Sequence, residues 1–214
     1  MIVMKNLTKT FPNGITAVNS LSLHIAKGET VGLIGANGAG KSTTVKMLSG
    51  ILWPDSGEIT VAGYIPHKQR KEYVANIGVV FGQKSQISWD LSPLDSYEVI
   101  KHIYKIPEKK YKENLERFTE LLDMSKFINQ PVRQLSLGQR MRADIAAALL
   151  HSPKIVFFDE PTIGIDVVGK DKIRKFIKTL NQTKNMNLVR QKPLKILKIS
   201  AVLLFLGIVR GSVK

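Results

Sequence analysis

The 214-residue sequence contains no cysteine, which excludes a disulfide framework and cysteine-ligated metal sites and is compatible with a reducing compartment. Long hydrophobic runs are also missing. The longest mainly apolar stretch covers 11 residues, 199–209, whereas a membrane-spanning helix needs roughly 20. The first residues lack the apolar segment of a signal peptide and predict a strand instead. This composition favours a globular domain with one substantial core.

Acidic residues are absent after Asp171. Residues 170–214 contain twelve Lys and Arg and this single acid, a net charge of +11, out of +15 for the whole chain. Residues 1–169 therefore carry only +4, which is the mixed charge of an ordinary domain. Because the basic excess is confined to the tail, we expect no nucleic-acid partner.

A glycine-rich segment has the G-x-x-x-x-G-K-[ST] spacing of a phosphate-binding loop. Its residues are Gly35, Ala36, Asn37, Gly38, Ala39, Gly40, Lys41, Ser42 and Thr43. Residues 30–34 before it predict a buried parallel strand, and residues 42–48 after it predict a helix that ends near Gly50. Backbone N–H groups and the helix N-terminus would hold an anion, Lys41 would reach the β- and γ-phosphates, and Ser42 would ligate Mg²⁺. The segment predicts a nucleotide site.

The rest of the chain predicts a mixture of strands and helices. Residues 2–11, 15–25 and 58–62 predict a small antiparallel sheet beside a parallel core. Residues 85–151 show helical patterns interrupted by prolines and are interpreted as a helical insertion; the patterns cover residues 94–104, 111–122 and 141–151. An apolar strand then ends in two carboxylates, Asp159 and Glu160. Carboxylates at such a strand end lie where α/β sheets bind ligands.

Taken in order, these motifs resemble the ATP-binding subunit of an ABC transporter, from residue 1 to about residue 185. The matching segments are the phosphate loop at 35–43, the glutamine loop at 82–83, the signature at 135–140, the Walker B strand at 155–160 and the D-loop at 164–166. The resemblance implies an α/β fold with a P-loop NTPase (RecA-like) core, a small antiparallel β subdomain and a helical insertion. The expected domains are an ATP-binding core with the antiparallel subdomain at 1–84 and 152–185, a helical subdomain with the signature at 85–151, and an atypical basic tail at 186–214.

The resemblance also assigns roles within one subunit. Phe11 would stack on adenine, although by burial habit alone a strand phenylalanine packs in the core. Asp159 would hold Mg²⁺ through water, and Glu160 would polarise the attacking water as general base. Gln83 would sense the γ-phosphate and the metal. The cofactors implied are ATP and Mg²⁺.

Other roles involve a second subunit. Ser136 and Gly138 would contact the γ-phosphate of ATP held by the other protomer, and Asp166 would contact the partner across the same interface. The resemblance thus implies a head-to-tail dimer that closes over two ATP molecules and drives transport through a separate integral-membrane permease. Such a subunit is expected in the cytoplasm, peripheral on the inner face of the cell membrane. The sequences around Gln83 and Pro161 look most like ATPases paired with exporter-type (ABC-2-like) permeases.

Two positions depart from the family pattern. Leu137 replaces the commoner second glycine of the signature, a mild change. More seriously, the family has a histidine on a strand end roughly thirty residues after the Walker B glutamate, and this chain has none after His151. Its absence predicts ATP binding with reduced hydrolysis. Since a shifted reading of residues 193–199 resembles the family sequence at this position, we interpret the tail as frame-altered or truncated.

Alternative interpretations remain open. Non-transport ABC ATPases that act on ribosomes or DNA usually carry two cassettes in one chain or zinc-binding cysteines, and this chain has neither. A truncated nucleotide-binding remnant is favoured by the missing histidine. Trp89, which follows the glutamine loop, would lie where the permease's coupling helix docks; a buried core tryptophan is the competing interpretation.

Overall fold

The computed structural model describes residues 1–82, 84–161, 165–182 and 201–206. The strands are β1 (Ile2–Thr10), β2 (Thr16–Ile25), β3 (Thr30–Ile34), β4 (Ser56–Val61), β5 (Ile77–Phe81), β6 (Ile155–Asp159) and β7 (Ala201–Leu206). The helices are α1 (Lys41–Leu48), α2 (Arg70–Val74), α3 (Pro93–Ile103), α4 (Glu108–Leu121), α5 (Leu137–Leu149) and α6 (Val167–Gln182), with a 3-10 turn at Val132–Gln134. Within these ranges no helix has the length and apolar character to cross a bilayer.

The described residues form two compact units. The first comprises Met1–Val79, Lys154–Glu160 and strand β7, and the second comprises Val80–Pro153 and residues 165–182.

The small antiparallel sheet belongs to the first unit and confirms the sequence prediction. Its strand order is β2-β1-β4, and both neighbours of β1 run antiparallel to it. Ile2 pairs with Ile25 on one side and with Val61 on the other, and all three side chains are fully buried. This row of apolar side chains fixes the register, because a one-residue slip would turn it towards water.

The second sheet has the order β3-β7-β6-β5. Strand β7 runs antiparallel to both β3 and β6, with Ala201 opposite Ile34 and Val202 opposite Asp159. Strands β3 and β6 are therefore parallel to each other, and their carboxyl ends lie at the same edge of the sheet. Those ends carry the phosphate loop and the two carboxylates.

The prediction of a buried parallel strand at 30–34 was right in position but wrong in pairing and burial. The neighbour of β3 is the antiparallel β7, and Ile34 is 58% exposed. A parallel neighbour needs a crossover that returns the chain to the opposite end of the sheet. Here residues 183–200 connect α6 to a strand of the opposite direction. Strand β7 lies inside the apolar stretch that the sequence analysis judged only by its length.

The second unit is mainly helical, as predicted for residues 85–151. Helix α5 packs by an alanine-rich face, and the buried hydroxyl of Tyr97 on α3 donates a 2.9 Å hydrogen bond to the carbonyl oxygen of Ala143. Helix α5 begins at Leu137, four residues earlier than the pattern at 141–151 predicts, because Ser136 caps it. Helices α2 and α6 were not predicted from the sequence.

Candidate nucleotide site

The phosphate loop joins β3 to α1 through a backbone that only glycine can adopt. Gly40 has φ +77°, and a Cβ atom added to it would lie 2.0 Å from the carbonyl oxygen of Ala17 on β2. Gly38 also has a positive φ, +81°. In the described part of the chain no side chain caps α1. The first-turn N–H groups of this helix are thus available to an anion that follows the loop.

Lys41 is 8% exposed and lies inside the loop. Its Nζ donates hydrogen bonds to the carbonyl oxygens of Gly35 at 2.9 Å and Ala36 at 2.7 Å. A buried ammonium group needs such acceptors, and phosphate oxygens are stronger ones because they carry charge. The geometry therefore places a cation at the centre of the predicted phosphate site.

Ser42 and Asp159 meet although 117 positions separate them in the sequence. The Ser42 hydroxyl donates a 3.0 Å hydrogen bond to Oδ1 of Asp159. Burial raises the pKa of the Asp159 carboxyl and the charge of Glu160 adds to this, whereas the hydrogen bond from Ser42 lowers it. A desolvated carboxylate beside a second one is stabilised by a cation, and hydroxyl and carboxylate oxygens suit Mg²⁺.

The two oxygens cannot hold a metal alone. Over the described ranges, no group of three or more His, Asp or Glu side chains is arranged around a metal position. Mg²⁺ in phosphoryl-transfer sites takes one or two protein ligands and completes its shell with phosphate oxygens and water. Ser42 and Asp159 fit a metal that binds together with a nucleotide.

Glu160 follows β6 directly and has φ +53°. A positive φ is uncommon for a residue with a side chain and costs energy, and such positions cluster at functional sites. The chain therefore bends directly after Asp159, at the second of the two carboxylates.

Phe11 is half-buried in the turn between β1 and β2. Its N–H donates to the carbonyl oxygen of Ile15, and its own carbonyl oxygen accepts from Gly14, both at 2.9 Å. The adjacent pair Thr10–Thr16 leads directly to Ala17, whose carbonyl oxygen lies against Gly40. This turn thus lies beside the phosphate loop, in keeping with the predicted adenine contact.

The signature residues lie at the start of α5, in the second unit. Ser136 is exposed, and its Oγ accepts a 3.2 Å hydrogen bond from the N–H of Gln139. In return, Oε1 of Gln139 accepts a 2.8 Å hydrogen bond from the N–H of Ser136. This is a capping box, and it leaves the N–H groups of Leu137 and Gly138 free of intrahelical partners.

Asp166 caps the next helix. Its Oδ1 accepts a 2.8 Å hydrogen bond from the N–H of Gly169 at the start of α6. The predicted sensor Gln83 and Gly164, the first residue of the D-loop, lie outside the described residues. Trp89 is 53% exposed, so its interpretation as a core residue was wrong.

Two charged residues of α5 were missed by the sequence analysis. Asp144, 3% exposed, accepts hydrogen bonds from Ser85 Oγ at 2.9 Å and from the N–H of Gln86 at 2.7 Å. Arg142 donates to backbone carbonyl groups at the end of α4. The available signal was the position of Arg142 and Asp144 beside the alanine-rich run of the helix, since buried charges require partners.

Comparison with known proteins identifies the arrangement. Residues 18–163 match the family model described as ABC transporter. The ABC transporter ATP-binding protein NatA of Bacillus subtilis is 34% identical over 185 residues, which cover 85% of this chain and 75% of NatA. The linearmycin resistance ATP-binding protein LnrL of the same organism is 33% identical, over 86% of this chain and 58% of LnrL.

A solved structure shows the same fold. The dimeric post-hydrolysis structure of the ATP-binding cassette MJ0796, bound to ADP and Pi, superimposes with a TM-score of 0.77 at 28% identity. The match covers 87% of this chain and 85% of that one. The fold is thus the α/β P-loop cassette with its small antiparallel sheet and helices, as predicted.

Proposed function

The chain belongs to the ABC transporter family, and from that membership we propose how its residues bind and hydrolyse ATP. Its family and fold are those of the ATP-binding subunits of transporters, which use ATP with Mg²⁺ and work as dimers. The observation that carries the assignment of residues is the hydrogen bond between Ser42 and Asp159. It joins the end of the phosphate loop to the carboxylate of the Walker B strand, the two parts that a phosphoryl-transfer site needs together.

The phosphate loop, residues 35–43, holds the triphosphate of ATP in this proposal. The free N–H groups at the start of α1 donate to phosphate oxygens, and Lys41 exchanges its two carbonyl acceptors for the β- and γ-phosphates. Phe11 supports the adenine ring from the β1–β2 turn. The preformed glycine backbone means that the loop pays little ordering entropy when the nucleotide binds.

Ser42 and Asp159 hold the Mg²⁺ that accompanies the nucleotide, and Gln83 is the third residue proposed to contact this metal. When bound, this ion neutralises charge on the phosphate oxygens. Glu160 accepts a proton from the attacking water as general base. Its position directly after Asp159, with an uncommon positive φ, supports this role, because such backbone positions cluster at functional sites.

Ser136 and Gly138 act on ATP bound by the second subunit. The exposed Ser136 and the free N–H groups of Leu137 and Gly138 form a helix N-terminus suited to a terminal phosphate. Asp166 contacts the same partner. Because these donors come from another subunit, hydrolysis depends on dimer closure, and ATP binding is converted into a mechanical step.

The partner of the dimer is an integral-membrane permease, which places the subunit on the cytoplasmic face of the membrane. LnrL is named for linearmycin resistance. Names of this kind among the relatives support an exporter-type permease as the partner of this chain. The comparisons lend no support to the alternatives of a non-transport ATPase or a remnant, nor to reduced hydrolysis.

The proposal is tested by ATP titration and phosphate release with the purified subunit. We expect Lys41→Ala to weaken MgATP binding by a factor of about 10 to 100, and Glu160→Gln to bind ATP but lose turnover. Lys71→Ala, which removes an exposed lysine of α2, is the matched control and should behave like the parent. Equal ATP affinity for the Lys41 and Lys71 variants would contradict the proposal.

A further inference from the structure

Arg142 lies one turn into α5, behind the signature turn, and makes three hydrogen bonds to backbone carbonyl oxygens. Its Nη1 donates to Leu122 at 2.7 Å and to Asp123 at 2.8 Å, both at the C-terminal end of α4. Its Nε donates to the carbonyl oxygen of Gly138 at 3.4 Å. One side chain thus joins the first turn of the signature helix to the end of another helix, where carbonyl groups otherwise lack partners.

The surroundings hold the guanidinium in one place. The Arg142 side chain is 11% exposed, and its Cζ lies 4.9 Å from the centre of the Phe127 ring. Burial lowers the pKa of Arg142, while the charges of Asp123 and Asp166 raise it. A planar guanidinium makes this combination of a stacked face and several donors in fixed directions, and a lysine ammonium does not.

The same contacts reach α6, the helix that Asp166 caps. The Asp123 carboxylate lies 3.6 Å from Nη1 of Arg142 and also pairs with Lys172 of α6. On the other side, a Cβ added to Gly138 would lie 3.4 Å from Cγ2 of Ile165, the residue before Asp166. The signature turn and the start of α6 are therefore tied together both by packing and by charge.

We propose that Arg142 is a positioning residue. It fixes the position of the signature turn relative to Asp166, so that both contact the partner subunit and its ATP when the dimer closes. This inference rests on the proposed function, since it assumes that Ser136 and Gly138 act across the dimer. Arg142 lies behind the turn that it holds, so it reaches the phosphates only through the position of Gly138 and Ser136. A displacement of a positioned group by about 1 Å can cost 100-fold in rate.

The experiment measures two equilibria with the full chain. In a Glu160→Gln background, in which ATP is not consumed, MgATP binding to the single subunit is measured at low protein concentration, and ATP-dependent dimerisation is measured by sedimentation. We expect Arg142→Lys to leave the first unchanged and to weaken dimerisation by at least about tenfold. Asp123→Asn, which removes an exposed charge but keeps the turn, should give a smaller loss. Arg133→Ala, which breaks only the exposed ion pair with Asp90, is the control and should dimerise like its parent.

The outcomes separate the inference from its premise. If Arg142→Lys lowers thermal stability but the folded protein dimerises like the Arg133→Ala control, Arg142 is merely structural and the inference is overturned. If the Glu160→Gln parent itself fails to dimerise with ATP, the proposed dimer falls and the role of Arg142 falls with it.

Mixing two impaired variants gives a second measurement, whose result a purely structural role of Arg142 would not change. In a mixed dimer, Arg142→Lys supplies an intact phosphate loop, and Lys41→Ala supplies an intact signature turn. We expect the mixture to show more ATPase activity than either variant alone, as a mixture of Ser136→Ala with Lys41→Ala should. Recovery with Ser136→Ala but not with Arg142→Lys would show that Arg142 acts on its own subunit's site, and would overturn the inference.

Discussion

Gly40 of the phosphate loop lies against the backbone of Ala17 on β2, with no room between them for a side chain. A Cβ atom at Gly40 would lie 2.0 Å from the carbonyl oxygen of Ala17, and the φ angle of Gly40 is +77°. The small antiparallel sheet therefore supports the loop directly. A side chain at this position would have to move the strand, the loop or both.

Gly40→Ala should for this reason destabilise the protein strongly. We expect the free energy of unfolding, measured by urea titration, to fall by more than about 3 kcal/mol. Gly14→Ala is a matched control, because Gly14 has φ +80° and no atom within 4 Å of an added Cβ. It should lose only the conformational cost, about 1 kcal/mol. Similar losses for the two variants would show that the contact with Ala17 is unimportant.

Asp144 should make stability depend on pH in a direction opposite to that of a salt-bridged acid. Burial raises its pKa above 3.8, against the hydrogen bonds from Gln86 and Ser85. When the pKa of a group is higher in the folded than in the unfolded state, its contribution to stability is fully present below the unfolded-state pKa. This contribution is lost as the pH rises through the folded-state pKa. Relative to Asp144→Asn, the parent should therefore gain stability as pH falls from 7 to 4.

The measurement is a pair of urea titrations at several pH values. Asp144→Leu serves as a second variant. It removes the carboxylate oxygen to which the Ser85 hydroxyl and the Gln86 N–H donate and should cost about 2 to 4 kcal/mol of stability. A parent that loses stability relative to Asp144→Asn on acidification would contradict the raised pKa.

The parts of the site with local signals could be predicted from the sequence. The glycine spacing at 35–43 and the apolar run before Asp159 depend on neighbours in the chain, and the predicted strand at 30–34 has the bounds of β3. The early start of α5 was also readable, because Ser136 followed three residues later by Gln139 is a capping box.

Pairing and long-range contacts could not be predicted in this way. The residues that pair between β3 and β7 are 167 to 175 positions apart in the sequence. The direction of β7 depends on the connection that precedes it. Arg142 likewise finds its acceptors on α4, some twenty positions earlier. No local pattern encodes such distances.

Ser136 has two separable roles, and a substitution can divide them. Ser136→Ala should cost about 1 kcal/mol of stability through loss of the cap. Ser136→Asp keeps a good cap and should retain stability, but its charge would repel the phosphate of ATP, so ATP-dependent dimerisation should be lost. Ser92, which forms the equivalent capping box with Asp95 on α3, is the control. Ser92→Ala should lose about as much stability as Ser136→Ala and should still dimerise with ATP. If Ser136→Asp dimerises as well as Ser92→Ala, Ser136 does not contact the phosphate of the partner's ATP.

Strand β7 should be essential to the second sheet, because it lies between β3 and β6 and pairs with both of them. Leu203 lies opposite Gly32 on β3 and opposite Phe158 on β6. Leu203→Pro removes a ladder N–H from an internal strand and should lower the free energy of unfolding by about 3 kcal/mol, whereas Leu203→Ile keeps the N–H and should cost far less. Hydrogen exchange locates the effect: amide protection should fall in β3 and β6 together, since each loses the same neighbour. Unchanged protection in both strands would mean that β7 does not lie between them, and that the phosphate loop and Asp159 are brought together by other contacts.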